Sequence, residues 1–221
     1  MIERILPSAV MSSDSYGDPP RIPQDPREAL VVSRAVASRR REFATARWCA
    51  RRALSELGVP PVPLLPGPHG APRWPDAVVG SITHCAGYRA AAVAHAARVR
   101  MLGIDAEPHA PLPRGVLESI CLPEERIRVR DLTAADPGVH WDRVLFCLKE
   151  TVYKSWYPAT GQRLEFEDAR ISVDPAARTF SARILVASPL RQDGRPVNVL
   201  TGRWLAGDGL VVAAIAVLRA G

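Results

Sequence analysis

Lysine is almost missing from this chain. Of its 29 lysine and arginine residues only Lys149 and Lys154 are lysine, and both fall in FCLKETVYKSWYP, Phe146 to Pro158. In a sequence heavy in Arg, Ala and Pro, such usage looks like a mutational bias that spares lysine only where arginine will not serve. A compact ammonium can meet phosphate oxygens or pass a proton, which a planar guanidinium does poorly. Cysteine is also scarce. Cys49, Cys85, Cys121 and Cys147 lie far apart and form no CxxC, so neither a zinc knuckle nor a redox pair is indicated and small buried apolar roles are expected. No apolar run reaches the ~20 residues that span a bilayer. The N-terminal MIERILPSAVMSSDSYGDPPRIP breaks its apolar stretch at Pro7 and carries acids, unlike a signal peptide, so the expected location is cytoplasmic. Walker, GxGxxG, HExxH and GxSxG motifs are all absent, which removes the usual signs of nucleotide, hydride, zinc and serine-hydrolase chemistry.

What is present is ordinary in bulk and uneven in detail. The 221 residues are 47% hydrophobic and 24% charged, enough for one large domain or two halves of about a hundred residues. A net charge of +6 asks for an anionic partner, and nucleic acid, a phosphorylated cofactor and an acidic protein all satisfy it. Much of the excess sits in Val32 to Gly58, where seven arginines face two glutamates and Val36, Phe43, Ala46, Ala50, Leu54 and Leu57 recur at helical spacing. This predicts a long amphipathic helix, stopped by Gly58 and Pro60, whose basic side is either a binding face or a solvated one.

A proline-rich loop, VPPVPLLPGPHGAPRWPD, leads to three strand-like runs, AVVGSITH, YRAAAVAHA and RVRMLGIDAE, the last closed by Pro108. HAPLPRGVLESICLPEERIRVRDLTAADPG reads as a linker with one or two short helices. HWDRVLFCLKETVYKSWYP makes a second helix ended by Pro158. FEDARISVD, RTFSARILVAS, NVLTGRWLA and LVVAAIAVLRA follow as two hairpins turning at DPAA and GDG. The expected fold is therefore α+β, a pseudo-dimer of two similar halves, 1–108 and 109–221, each a long helix packed on an antiparallel sheet.

Three small constellations carry chemistry. In LGIDAEP, Asp105 and Glu107 alternate with Ile104 and Ala106, so both carboxylates leave one face of a strand. Their repulsion is relieved either by solvent or by a hard cation such as Mg2+. On the second helix Leu145, Leu148, Val152 and Trp156 form a core stripe. Glu150 and Lys154 sit together near the opposite face with Arg143, Phe146 and Tyr157. That pair is either a surface i,i+4 ion pair or the wall of a cleft. His84 ends the strand in GSITHCAG, as a buried hydrogen-bonding group or a phosphate contact.

Taken together, GSITHCAGY, GIDAEPHAPLP and WDRVLFCLKETVYKSWYP, with RRREFATARWCARRALSELG and the GPHGAPRWP loop before them, resemble the Sfp-type 4′-phosphopantetheinyl transferases, especially those of actinobacteria. The family's (V/I)GIDxE strand and (W/F)xxKExxxK helix stand in the same order, at the spacing seen from Asp105 to Glu150. The resemblance implies a cytoplasmic, monomeric, Mg2+-dependent enzyme of the holo-[acyl-carrier-protein] synthase type. Such an enzyme moves the phosphopantetheine arm of coenzyme A onto a serine of an acyl or peptidyl carrier protein of polyketide, nonribosomal peptide or fatty acid synthases. It releases 3′,5′-ADP, and neither nucleic acid nor membrane is a partner.

By the same resemblance Asp105, the Ala106 carbonyl, Glu107 and Glu150 hold the metal, and Glu150 or a water it orients accepts the serine proton. Lys154 steadies the leaving phosphate, Lys149 pairs with nearby phosphate charge, and Thr83 with His84 meets phosphate at the strand end. Arg39 and Arg47 take the 3′-phosphate of coenzyme A. The loop departs from the family pattern, because Gly67 and His69 stand where a lysine is usual, and Arg40 could exchange with Arg39. An acidic carrier protein is expected on PLPRGVLESICLPEERIRVR, with Leu112, Val116, Leu117 and Ile120 as an apolar strip beside Arg114, Arg126 and Arg128. The competing classes are a non-catalytic basic nucleic-acid-binding module and another coenzyme-A-dependent transferase.

Overall fold

The computed structural model describes residues 1–192 and 194–219. Among the described residues two main antiparallel sheets, a two-stranded ribbon and five α-helices form an α+β fold. Strand β1 (Met11–Tyr16) precedes α1 (Pro26–Val31) and the long α2 (Ala37–Glu56). Then come β2 (Val78–Cys85), β3 (Tyr88–His95) and β4 (Val99–Pro108). Helices α3 (Val116–Ile120), α4 (Pro123–Ala135) and α5 (Trp141–Thr160) follow. The chain ends with β5 (Ala169–Asp174), β6 (Thr179–Ile184), the two-residue β7 (Arg191–Gln192) and β8 (Arg195–Pro196), then β9 (Val199–Gly207) and β10 (Leu210–Leu218). The expected final run extends to Ala220, which lies outside the described residues.

The first sheet runs β1-β3-β2 and carries α2. The second runs β4-β10-β9-β6-β5 and carries α5. Strand β4, which sequence reading places in the first half, is thus paired in the second sheet, with Asp105 opposite Ala213 of β10. Its other edge faces β2 without a backbone ladder. There two hydroxyls stand in for carbonyls: Ser81 Oγ accepts from the Ile104 N–H and Thr83 Oγ1 from the Ala106 N–H, both at 3.1 Å. These bonds fasten the two sheets together directly behind the carboxylates of β4.

Helix α5 presents Leu145, Leu148, Val152 and Trp156 to the second sheet, and all four are buried. The approach is close at Gly103, where a Cβ would lie 2.6 Å from both the Thr151 carbonyl oxygen and the Ser155 nitrogen. Any side chain at 103 would push the helix off β4, and with it Glu150 and Lys154 from the acids.

Several boundaries differ from expectation. Helix α2 begins at Ala37 rather than Val32, since α1 and a turn occupy the preceding residues. Helix α5 passes through Pro158 and ends at Thr160, capped by Gly161 at φ 69° with its N–H on the Tyr157 carbonyl at 2.8 Å. A proline in the last turn removes only one ladder bond, so it does not stop the helix there. Strand β1 was not expected at all. MSSDSY has no apolar alternation, and only its pairing with β3 makes it a strand.

Candidate active site at the junction of the sheets

The two acids of β4 are held differently. Asp105 is 2% exposed. Its Oδ1 accepts from Lys154 Nζ at 2.6 Å and from Thr83 Oγ1 at 3.0 Å, while Oδ2 is buried with no hydrogen-bond partner. Glu107 Oε2 lies 2.9 Å from Arg143 Nη1. The same guanidinium donates to the carbonyls of Ala110 and Pro111, so Arg143 ties Glu107 to the loop that leaves β4. Glu150 stands one helical turn before Lys154. Burial, reinforced by the charge of Asp105, pushes the Glu107 carboxyl up to about 7 although Arg143 opposes the shift. Burial and Asp105 raise Glu150 in the same way. Burial works against the charge on Lys154, but attraction from Asp105 and Glu150 outweighs it and the ammonium is held above its usual pKa.

Asp105 and Glu150 therefore act on a single lysine, while Glu107 is turned to Arg143. Among the described residues no group of three His, Cys, Asp or Glu side chains is drawn together tightly enough to grip a metal. The donor set still suits a hard cation. Asp105 keeps one buried oxygen without a partner, and Glu150 has no ion-pair partner among the described residues, so both have oxygen available to a cation, while Glu107 is held by Arg143.

At the end of β2 the Nη1 of Arg39 bonds His84 Nε2. Arginine has no acceptor, so Nε2 must carry its lone pair and the ring is neutral with its proton on Nδ1. Burial first, then Arg39 and Lys154, lowers the His84 pKa accordingly. Thr83, Asp105 and Lys154 thus form one hydrogen-bonded group and Arg39 with His84 another at the same end of β2, and Glu150 stands one turn from Lys154. Beside it opens a cleft of about 180 Å3 lined by His69, Ile82, Glu150, Tyr153, Lys154 and Tyr157. His69, with φ 53°, turns its ring edge to Tyr157. Gly67 lies further back, on a neighbouring cavity of about 320 Å3 that shares Tyr157 and Pro158 with the cleft. A larger groove, about 850 Å3, crosses the far face of the second sheet and includes none of these residues.

Other expected residues stand apart. Arg47, on α2, is buried with its guanidinium 3.9 Å from the centre of the Phe43 ring. Lys149, expected beside phosphate, is 3% exposed and points away from the carboxylates. Its ammonium donates to Glu125 at 2.8 Å and to the carbonyls of Phe166 and Ala169 at 2.6 and 2.9 Å. All three protons are engaged in joining α4, α5 and β5, so none is left for phosphate. The expected carrier strip is also partly absorbed, because Ile120 is buried and Leu117 packs on the core of the second half. Ile127 is the exposed apolar residue on the adjoining helix.

Sequence reasoning left Arg143 and Ser81 without roles. The signal for Arg143 was there: it lies seven residues before Glu150 on the same helical face. For Ser81 there was only its spacing of two from Thr83, which puts both hydroxyls on one side of β2.

Comparison with known proteins gives the family. Residues 26–94 match the 4′-phosphopantetheinyl transferase N-terminal domain, and residues 101–206 match the 4′-phosphopantetheinyl transferase superfamily. The chain is 55% identical to 4′-phosphopantetheinyl transferase Svp of Streptomyces mobaraensis, over 98% of its own length and 89% of that protein. It is 48% identical to 4′-phosphopantetheinyl transferase Npt of Nocardia iowensis, over 98% and 99%. With 4′-phosphopantetheinyl transferase PptT of Mycobacterium tuberculosis the identity is 47%, over 97% of each chain. Sheet, helix and near full-length relatives lead to one assignment: this chain belongs to the 4′-phosphopantetheinyl transferase family, in its Sfp-type, actinobacterial form.

Proposed function

We propose that this chain transfers the 4′-phosphopantetheine arm of coenzyme A to a serine of acyl and peptidyl carrier proteins, with release of 3′,5′-ADP. The observation that carries the reading is Lys154 seated on Asp105, one turn from Glu150, beside a buried carboxylate oxygen with no partner. The serine oxygen forms a bond to the β-phosphorus of the pyrophosphate as the bridge to the α-phosphate breaks. Glu150, or a water it orients, takes the hydroxyl proton, a task suited to a carboxyl whose pKa burial has raised. Lys154 meets the growing charge on the departing α-phosphate. Asp105, the Ala106 carbonyl, Glu107 and Glu150 are the groups that would hold Mg2+, which when bound supplies charge neutralisation at the pyrophosphate oxygens.

Residues 1–108 carry the nucleotide contacts and residues 109–221 the helix with Glu150 and Lys154. Arg39 and His84 receive phosphate at the end of β2, with Thr83 buttressing Asp105 from behind. His69 closes the cleft in place of the loop lysine, with Gly67 at its rear, and Arg47 takes the 3′-phosphate. The reading extends to a cytoplasmic monomer that activates polyketide, nonribosomal peptide or fatty acid synthases. No described helix is long and apolar enough to cross a membrane. Chromatographic detection of 3′,5′-ADP tests the reaction class. It should appear only when coenzyme A, Mg2+ and an apo carrier are all present, whereas an acyl transfer from an acyl-coenzyme A would release free coenzyme A instead.

A further inference from the structure

One fully buried acid lies outside the catalytic cluster. Glu28, on α1, is 0% exposed. Its Oε2 accepts from Arg51 Nη1 at 2.6 Å and its Oε1 from the Leu64 N–H at 2.8 Å. Arg51 reaches on to the Pro23 carbonyl, also at 2.6 Å. The carbonyl of Leu64 in turn accepts from Arg47 Nε at 3.4 Å. A single carboxylate therefore joins α1, α2 and the loop that runs on to Gly67 and His69. Leu64, itself wholly buried, passes the connection to Arg47.

The charges do not balance locally. Arg51 is neutralised by Glu28, whereas Arg47, one turn earlier on α2, meets no acid within ion-pair distance among the described residues. Burial pushes its pKa down to about 10, and Arg39 and Arg51 lie near enough to add repulsion. It stays charged at neutral pH nonetheless. Its terminal nitrogens donate to no described protein acceptor and are not sealed from solvent. Clamped at Nε, packed on Phe43 and open at the tip, such a guanidinium is preorganised for an oxyanion.

We propose that Glu28 is a positioning residue for this anion site, fixing Leu64 and Arg51 so that Arg47 presents its free nitrogens to the 3′-phosphomonoester of coenzyme A. The inference rests on the reading of Arg47 given under the proposed function. A phosphomonoester carries up to two negative charges, which suits Arg47, the member of the group left without an acid partner where Arg51 has Glu28 and Arg39 has Glu42 at 3.6 Å.

Calorimetric binding of 3′,5′-ADP and 5′-AMP to the full chain tests it, because the two ligands differ only in the 3′-phosphate. Glu28→Gln keeps the side-chain volume, but its single oxygen cannot serve both Leu64 and Arg51. Its affinity for 3′,5′-ADP should fall about tenfold with 5′-AMP unchanged, a selective loss of about 1.4 kcal/mol. Arg47→Met should abolish the preference for 3′,5′-ADP altogether. If Glu28→Gln does not fold, Glu28→Asp carries the same expectation, since the shorter acid keeps the charge but cannot span both donors. Equal losses for the two nucleotides, or none, would overturn the inference. If Arg47→Met abolishes the preference and both Glu28 variants keep it, the inference alone falls. If Arg47→Met keeps the preference, the phosphate is not on Arg47, and the reading fails together with the inference.

Discussion

Replacing Lys149 by Met removes one half of a buried ion pair and should lower stability far more than it lowers ligand binding. The Lys149 side chain is 1% exposed and Glu125 2%. Without the ammonium, Glu125 keeps the Leu122 and Ile171 N–H donors at 2.8 and 2.6 Å but loses the one cation that pairs with it among the described residues. The carbonyls of Phe166 and Ala169 lose their lysine donor too. Breaking a buried pair by deleting one partner costs about 3–5 kcal/mol. For a chain of this size that corresponds to a drop in Tm of roughly 6–20 °C, at about 2–4 °C per kcal/mol. Thermal unfolding followed by circular dichroism measures the drop, and coenzyme A binding at a temperature where the variant is folded should give an unchanged Kd. The double variant Lys149→Met with Glu125→Gln should recover part of the loss, because the amide carries no uncompensated charge and still accepts from one backbone N–H. An unchanged Tm together with weakened coenzyme A binding would refute the reasoning and return Lys149 to the phosphates.

Lys154→Arg keeps the charge but cannot seat a planar fork at 2.6 Å on Asp105 beside Thr83. Turnover should fall at least tenfold, about 1.4 kcal/mol of transition-state stabilisation, and wild-type kcat would show that an ammonium is not required. Arg143→Met withdraws the attraction that opposes the raised pKa of Glu107, so the acid limb of the pH–rate profile should move to higher pH. Linkage gives the matching sign in stability: Glu107 binds protons more tightly folded than unfolded, so its contribution declines as pH rises from 4.5 toward about 7 in the wild-type chain. In Arg143→Met that decline should extend further up in pH, and superimposable profiles would remove Arg143 from any role at Glu107.

Much of this was legible in the sequence because alternation and helical spacing are local. Asp105 and Glu107 share a strand face, and Glu150 and Lys154 share a helix face, whatever the topology. What could not be read is what lies opposite. The two lysines of α5 occur five residues apart, so they project in different directions, Lys154 onto Asp105 and Lys149 onto Glu125 of another helix. Which of them meets substrate depends on how α4 packs. The pairing of β4 was hidden for a similar reason, since β4 follows β3 closely in sequence but finds its partner in β10. Leu117 and Ile120 read as a docking strip because apolar spacing cannot distinguish a face turned to a partner from one turned to the core.

The central claim is transfer of phosphopantetheine to a carrier serine, and the intact mass of an apo carrier protein after incubation with this chain, coenzyme A and Mg2+ tests it most directly. The account predicts a gain of one phosphopantetheine per carrier, abolished when the carrier serine is replaced by alanine and lost with Asp105→Asn. An unmodified carrier in the presence of folded chain that binds coenzyme A, or a carrier that gains an acyl group instead, would contradict it.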